Sequence, residues 1–395
     1  MLLKPPAPLP LLAALALAAC QAAPAAQTSA SAPLHLGRTT PIAKSTSQKP
    51  DAPPAIGAYT HDAAERLFRA AKYSEDEALC QQTVTAIERS KNGGKGPNDP
   101  QLADPLNDLA TVYLRIGRFE DARKLIDRAE PLLNPTVHWQ ALVLARVETN
   151  KAWRSYAWGE TGLADKSFSD ARDLLQKNGA ADSLDMAEVL NDLGLVMEDG
   201  NDKVQAQGRR LLYQAWEMRR RLAGDLSPEC EESLSNLGMN LLFHGNSPDD
   251  AKLAIASLHK AYDTAQKLWG PDHPETAMAL ANIAMADQMT DQNDKAADEI
   301  RQALAVTTKV FGPMSLDRAS ELQILGSVLQ AQEKFPDAEA AFKEAVSINE
   351  SVYGPTHPFV GSALTYLEGL YDAMHDDAKS EEIKERADKL RGLDL

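Results

Sequence analysis

Gly-Pro-Asp-His-Pro at residues 270–274 and Gly-Pro-Thr-His-Pro at residues 354–358 are two copies of one short motif, 84 positions apart. Related sequences stand at residues 96–100, 224–228 and 312–315. Glycine readily ends a helix in the left-handed conformation, and proline suits the first turn of the next helix, where no N–H is needed. The motif therefore predicts a short link between two helices that recurs along the chain.

A second block recurs in the helix that would follow each link. The block is five residues long. Its first residue is leucine, its fourth is leucine or isoleucine, its fifth is small, and the second and third positions vary. The copies are Leu106–Ala110, Leu190–Gly194, Leu234–Gly238, Leu280–Ala284 and Leu322–Gly326. Their successive spacings are 84, 44, 46 and 42, and the first is twice 42. A nearly fixed period of this size indicates an array of repeats.

Each block also predicts a partner helix further along the chain. Twelve residues after Ala110 stands Ala122, followed four later by Ile126 and three later by Ala129, and the other repeats share this pattern. Where two successive blocks are 44 or 46 residues apart, the pattern of the second helix begins two or four residues later than in the other repeats. The extra residues therefore lie between the two helices of the hairpin. Small residues let helices cross closely, and such a hairpin must stack on neighbours to bury its apolar face. We therefore predict an all-α solenoid of helix hairpins.

These residues resemble the tetratricopeptide repeat (TPR), and the 42-residue period with its Gly-Pro-x-His-Pro link is most similar to the variety found in kinesin light chains. The resemblance covers residues 59–393 and implies a right-handed superhelical solenoid of about eight antiparallel hairpins. The hairpins are expected near residues 60–92, 102–134, 138–178, 184–225, 228–270, 274–311, 315–353 and 357–393. In a linear stack, residues about 150 positions apart do not meet, so Cys80 and Cys230 are expected to be buried thiols without a disulfide.

The first 19 residues are predicted to be a targeting signal, because Lys4 precedes an apolar stretch that is too short to span a bilayer. Leu17-Ala18-Ala19-Cys20 resembles the lipobox of bacterial lipoproteins, which implies lipidation of Cys20 and a periplasm-facing protein at the outer membrane. The alternative is an ordinary secretory signal that releases a soluble protein. Residues 20–58 are rich in alanine, proline, serine and threonine, which predicts a disordered tether.

The composition excludes several classes of function. A net charge of −16 and a pI near 5.0 argue against a nucleic-acid partner and against broad adsorption to anionic lipid, so the predicted membrane contact is the N-terminal lipid alone. The motifs of phosphate-binding loops, serine hydrolases and zinc peptidases do not occur, and we predict no enzyme activity, cofactor or metal. His273 and His357 recur because the link recurs, about two hairpins apart, which is too far to share one metal.

The TPR resemblance implies that the first helix of each hairpin lines a concave groove for a partner. The residues at its groove positions are Asn107, Thr111, Arg115, Asn191, Glu198, Met239, Leu242, Phe243, Met278, Met285, Gln288 and Met289. Methionine suits a groove that accepts varied peptides, but the same side chains could instead pack as core between neighbouring helices. The predicted function is a non-enzymatic scaffold that binds a protein or peptide in this groove. The alternative is a self-assembling component that organises an envelope complex.

Overall fold

The computed structural model describes residues 59–89, 96–158, 160–197, 202–245 and 247–390. These ranges contain sixteen α-helices. They are α1 (His61–Arg69), α2 (Tyr73–Arg89), α3 (Ala103–Arg115), α4 (Phe119–Ala129), α5 (His138–Ala157), α6 (Thr161–Lys177), α7 (Leu184–Val196), α8 (Asp202–Ala223), α9 (Pro228–His244), α10 (Pro248–Trp269), α11 (Pro274–Met289), α12 (Asn293–Phe311), α13 (Leu316–Ala331), α14 (Phe335–Tyr353), α15 (Pro358–Ala373) and α16 (Asp377–Leu390). Short 3₁₀ turns precede α3 and follow α4.

Consecutive helices pair into eight hairpins, α1 with α2 through to α15 with α16, and each hairpin packs against the next. The structure therefore confirms the predicted all-α solenoid. The two helices of a hairpin differ in position. The odd-numbered helices from α1 to α13 contact one another around a shared interior, and we call them the inner helices.

The small residues of the repeat lie where the two helices of a hairpin cross. A Cβ atom on Gly194 of α7 would come within 2.7 Å of the Leu212 side chain of α8, and one on Gly208 would come within 2.7 Å of the Gly194 carbonyl oxygen. Ala122 and Ala129 are fully buried in the same way in the second hairpin. Close crossing therefore explains why these positions are restricted to glycine and alanine.

The links follow one structural rule. Gly270, Gly312 and Gly354 end the preceding helix with φ angles of +81°, +79° and +89°, and their ψ angles of 175°, 178° and 154° place them in an extended region that is essentially restricted to glycine. The predicted left-handed helical conformation is therefore wrong in ψ, although glycine is required. At the start of the next helix, the Nδ1 atom of His273 or His357 accepts a hydrogen bond at 3.2 Å from the backbone N–H two residues later. The recurring histidines are therefore helix N-caps, and serine hydroxyls fill this role in the links at 183, 227 and 315.

Hairpins that are distant in sequence also meet, because the solenoid winds back on itself. The ring of Tyr73 stacks on Phe311 with centroids 5.9 Å apart, and Phe119 stacks on Tyr353 at 5.3 Å. The expectation that hairpins far apart along a linear stack stay apart is thus wrong for these pairs, because a tight superhelix brings successive turns into contact. Cys80 and Cys230 are nevertheless both buried free thiols.

Within the described ranges, no helix has the length and apolar character needed to cross a membrane. The predicted lipidation site Cys20, the targeting segment and the tether all lie outside these ranges, as does Glu198 of the predicted groove. The predictions for those residues therefore stay predictions.

Candidate partner-binding surface

The inner helices are joined by amide hydrogen bonds between side chains at the predicted groove positions. Asn150 Nδ2 of α5 donates to Asn107 Oδ1 at 2.9 Å and to Thr111 Oγ1 at 2.8 Å, both on α3. Asn236 Nδ2 of α9 donates to Asn191 Oδ1 of α7 at 3.2 Å. Asn107 and Asn191 are thus buried and engaged with their neighbours, while Thr111 is half-buried. The polar residues on the inner helices hold adjacent hairpins in register.

Part of this polar layer keeps unused hydrogen-bonding capacity. Asn236 is 2% exposed, yet its Oδ1 atom has no partner within the described part of the chain. The same holds for Asn282 Nδ2 and Glu321 Oε2, which line one small cavity of about 20 Å³ between α11 and α13, together with Met278. A buried polar atom without a partner costs free energy, and a cavity of this size has room for one ordered water that would satisfy it.

The predicted methionine-rich patch divides into two groups. Met239 and Met285 are each 4% exposed and pack with apolar side chains of the fifth, sixth and seventh hairpins. Met239 and Met285 therefore belong to the core between neighbouring helices, because an enclosed side chain offers little surface to a partner. Five predicted groove residues are half-buried and stay candidates for contact, namely Leu242, Phe243, Met278, Gln288 and Met289.

Carboxylates of three successive inner helices follow one another along the interior. Glu188 and Asp192 lie on α7, Glu231 and Glu232 on α9, and Glu275 on α11, and we call these five residues the inner carboxylate row. Burial, reinforced by a neighbouring carboxylate, raises the pKa of Asp192 to about 7. The surrounding protein and the carboxylates of Asp192 and Glu65 also raise the pKa of Glu188, although its side chain stays open to solvent. Burial also raises the pKa of Glu231 well above its usual range. The row is therefore crowded with like charge.

Three arginines partly compensate this charge. Arg115 Nη2 lies 4.0 Å from Glu275 Oε1, and Arg219 Nη1 lies 3.5 Å from Glu232 Oε2. Arg69 Nη2 of α1 lies 3.6 Å from Glu229 Oε1 at the start of α9. Glu188 forms no ion pair with any described residue, but Arg69 and Arg219 act on it at longer range. The arginines therefore offset part of the charge of the row, and the raised pKa values keep protons on several of its carboxyl groups.

A second charged cluster fixes the first hairpin to the second. Tyr59 Oη donates to Asp108 Oδ2 at 2.7 Å, and His61 Nδ1 lies 2.9 Å from Asp108 Oδ1. Burial and Arg146 lower the pKa of His61, but Asp108 raises it by more, to about 9, so the imidazole is charged at neutral pH. No sequence motif marks this cluster, because its members lie on separate helices that meet only in the folded protein.

Donor atoms of His61, Asp104 and Asp108 lie within 4.8 Å of one another, the kind of spacing that a metal ion requires. Asp104 Oδ1, however, already accepts from Arg146 Nη2 at 2.5 Å, and Asp108 is paired with the charged imidazole. The Arg146 guanidinium and the His61 imidazolium thus supply the positive charge that a metal ion would bring. These residues therefore form a structural ion-pair network. Burial raises the pKa of the nearby Cys80 thiol, which makes it a poor nucleophile.

Comparison with known proteins is consistent with this architecture. A tetratricopeptide repeat family model matches residues 249–309 and 318–389. The structure is similar to that of a Rap protein in complex with competence and sporulation factor, with 13% identity over 84% of this chain and 94% of that chain, at a TM-score of 0.58. A comparison with curated protein sequences gave no match.

Two further solved structures align less closely. TPR-like repeats of a kinesin light chain from Podosopora anserina align at 17% identity over 53% of this chain and 96% of that chain, with a TM-score of 0.40. The quorum sensor NprR from B. thuringiensis aligns at 9% identity over 84% of this chain and 97% of that chain, with a TM-score of 0.48. Residues 249–309 and 318–389 thus match the tetratricopeptide repeat family model, and the similarity to the Rap protein is one of fold and extends over most of this helical solenoid.

Proposed function

We propose that this protein is a non-enzymatic interaction protein that holds a segment of a protein or peptide partner against its inner helices. The observation that carries the proposal is a set of half-buried side chains on the inner helices α9 and α11, which a partner can reach. They are Leu242, Phe243, Met278, Gln288 and Met289. Accessible apolar side chains and methionines on one helix face suit a groove that takes up a peptide segment.

The similarity to a Rap protein supports the same proposal at the level of fold. That protein was solved in complex with competence and sporulation factor, so a solenoid of this type accommodates a ligand. Here Met278 and Met289 would supply adaptable apolar contacts, and Gln288 would supply a polar one. A partner would therefore gain side-chain burial and a hydrogen bond from one stretch of the interior.

Site-specific photo-crosslinking tests the proposal. A photoreactive amino acid replaces Met278 on the interior, or Leu253 of the outer helix α10, which is 51% exposed. Irradiation in cells should give a discrete crosslinked species from position 278 and none of the same mass from position 253. The adduct should disappear when the half-buried groove residue Met289 is replaced with glutamate in the same chain. An identical pattern of adducts from both positions would contradict the proposal.

Self-assembly is the other function that the sequence leaves open, and we propose no residues for it. Light scattering on the purified protein separates the two functions. A monomer that binds its partner one to one fits the interaction protein, whereas a defined oligomer that forms without any partner fits a structural component.

We further propose that the protein is anchored in a bacterial envelope by a lipid on Cys20, with the solenoid facing the periplasm. The support is the lipobox-like sequence at residues 17–20. Metabolic labelling with an alkyne-bearing fatty acid, followed by detergent phase partitioning, tests this proposal. The wild-type protein should be labelled and enter the detergent phase, and Cys20→Ser should do neither. An unlabelled wild-type protein in the medium would instead support the secretory alternative.

A further inference from the structure

We infer that contacts between successive superhelical turns hold the solenoid in a closed form, and that it opens along these contacts to admit the partner to the whole groove. This inference rests on the proposed function and adds how the partner gains access. We call the contacts the seam. They join the loops inside the first three hairpins to helix ends and links of the last four, through Arg69, Tyr73, Arg115, Phe119 and Trp158 on one side and Glu229, Phe311, Asp317, Tyr353 and His357 on the other.

The seam differs from the packing between neighbouring hairpins. Helices of neighbouring hairpins pack along their lengths, whereas the seam consists of separate side-chain contacts at helix ends. Tyr73 stacks on Phe311, and the rings of Trp158 and His357 meet at right angles with their centroids 4.9 Å apart. Separation of these rings leaves every hairpin stacked on its neighbours. The seam is therefore the contact that the solenoid can break with the least loss of packing.

The polar part of the seam also suits reversible opening. The Arg115 side chain is 7% exposed and pairs across the seam with Asp317, and Arg69 pairs across it with Glu229. Burial of an ion pair removes water from both groups, and this cost offsets much of their attraction. Opening returns Arg115 and Asp317 to water together, so neither charge is left buried without a partner. The ion pairs therefore fix the register of the closed form without making it permanent.

The groove residues differ in their distance from the seam. Four of the five lie near the C-terminal ends of α9 and α11, whereas the seam side chains meet the N-terminal ends at Glu229 and Glu275. The fifth, Met278, lies near the start of α11, beside the cavity of about 20 Å³ that Asp317 also lines. Space for one water cannot accommodate a peptide side chain. A partner can therefore reach the far end of the groove in the closed form, but the seam must part before it packs against Met278.

Thiol labelling of the full-length protein tests this inference without a partner. Met278→Cys is made in a Cys20→Ser background, and the probe is fluorescein maleimide. Cys80 and Cys230 are buried thiols, so the new cysteine is the one that the reagent can reach. Because a reagent of this size reaches position 278 only when the seam is open, the rate of labelling reports the open fraction. Leu253→Cys on the outer helix α10 gives the rate for a thiol that is accessible in both forms.

Two substitutions that remove seam contacts at separate places should each accelerate the labelling of position 278 at least about tenfold. Arg115→Ala removes the ion pair with Asp317, and Trp158→Ala removes the ring contact with His357, two hairpins away from Met278. Neither should change the rate at position 253 or expose Cys80, which is fully buried in the first hairpin. Unchanged labelling of position 278 in both variants would overturn the inference. Labelling of Cys80 as fast as position 278 would show general unfolding and would overturn it too.

Each substitution has a matched control. Arg118→Ala removes a more exposed guanidinium that pairs with Asp121 and Glu77, inside the first two hairpins. Trp139→Ala removes an indole at the opposite end of α5 from Trp158. Both controls should label position 278 within about twofold of the protein with an intact seam, because they act at independent sites. Acceleration by the controls that equals that of the seam variants would contradict a gating role for the seam.

Photo-crosslinking in cells through position 278 separates failure of this inference from failure of the proposed function. Arg115→Ala should raise the yield of the crosslinked species, and Arg118→Ala should not. Crosslinks from position 278 combined with labelling rates that ignore the seam variants would leave the proposed function intact and overturn the opening. Labelling rates that respond to the seam variants, without any crosslink, would overturn the proposed function and support the opening.

Discussion

Arg115 and Asp317 are 202 positions apart in the sequence, yet Arg115 Nη1 donates to both carboxylate oxygens of Asp317, at 3.0 and 3.1 Å. The Arg115 side chain is only 7% exposed, and Glu275 lies within 4.0 Å of it. Arg115 was predicted to contact a partner, but its guanidinium joins the second hairpin to the sixth and seventh. The pair therefore closes one superhelical turn on the next and encloses the interior.

Asp317→Ala should destabilise the protein by about 3 kcal/mol, because it leaves the buried guanidinium of Arg115 with one distant carboxylate. The same substitution should loosen contact between the two turns. Urea denaturation checks the stability, and small-angle X-ray scattering should show an increased radius of gyration. Asp121→Ala removes a carboxylate from the exposed ion pair with Arg118 and should alter neither measurement. An unchanged radius for Asp317→Ala would contradict the closing role of the pair.

Gly326→Ala tests close packing at a helix crossing. A Cβ atom here would lie within 2.8 Å of several ring atoms of the fully buried Phe342, so the ring must shift. We expect a loss of about 1–3 kcal/mol in the free energy of unfolding. Gly369→Ala in α15 is the matched control, because nothing lies within 4 Å of the new methyl group. It should be neutral or stabilising by up to about 1 kcal/mol, and a comparable loss at both positions would argue against packing as the cause.

His273→Ala and His273→Ser separate the capping role of the link histidine from its ring contact. Both variants lose the stacking on Trp269, whose centroid lies 5.1 Å away. Only serine can still cap the helix, by accepting from the N–H three residues later as Ser315 does from Arg318. The alanine variant should therefore be about 1 kcal/mol less stable than the serine variant. Equal melting temperatures would rule out the capping role.

Stability should fall as the pH rises from about 5 to 9. The raised pKa values of Glu188 (about 8), Asp192 (about 7) and Glu321 (about 8) mean that the folded protein holds protons that the unfolded chain has already released. His61, with a pKa of about 9, adds to this effect above its unfolded value near 6.5. Unfolding then releases protons, so stability falls as the pH rises. Below pH 6.5 the buried His357, with a pKa of about 4, opposes further gain.

Scanning calorimetry at pH 6, 7.5 and 9 checks this prediction, and the melting temperature should drop by at least about 3 °C over the range. Glu188→Gln should reduce the dependence of the melting temperature on pH. The groups that face Glu188 are Asp192 and Asp185 on its own helix, Glu65 on α1 and Arg219 on α8. Removal of the Glu188 charge lowers repulsion among these carboxylates at high pH. A melting temperature that rises from pH 6 to pH 9 would contradict the assigned direction.

The sequence by itself determined the repeating unit, because its signals are local. Gly270 and Pro274 define a link through their own backbone preferences, and the spacing of Gly194, Gly208 and Leu212 defines one helix crossing. Each of these features involves residues of one hairpin or of the adjacent link. The solenoid of about eight hairpins could therefore be predicted before any coordinates were known.

Only the tertiary structure decided which residues line the interior and which of them stay accessible to a partner. The path of a solenoid results from a small rotation at every hairpin, and these rotations add up along the whole chain. No local pattern specifies their sum, so the contact of Arg115 with Asp317 could not be foreseen. Stacking of adjacent hairpins enclosed Met239 and Met285 in the core and placed the carboxylates of α7, α9 and α11 along one interior face.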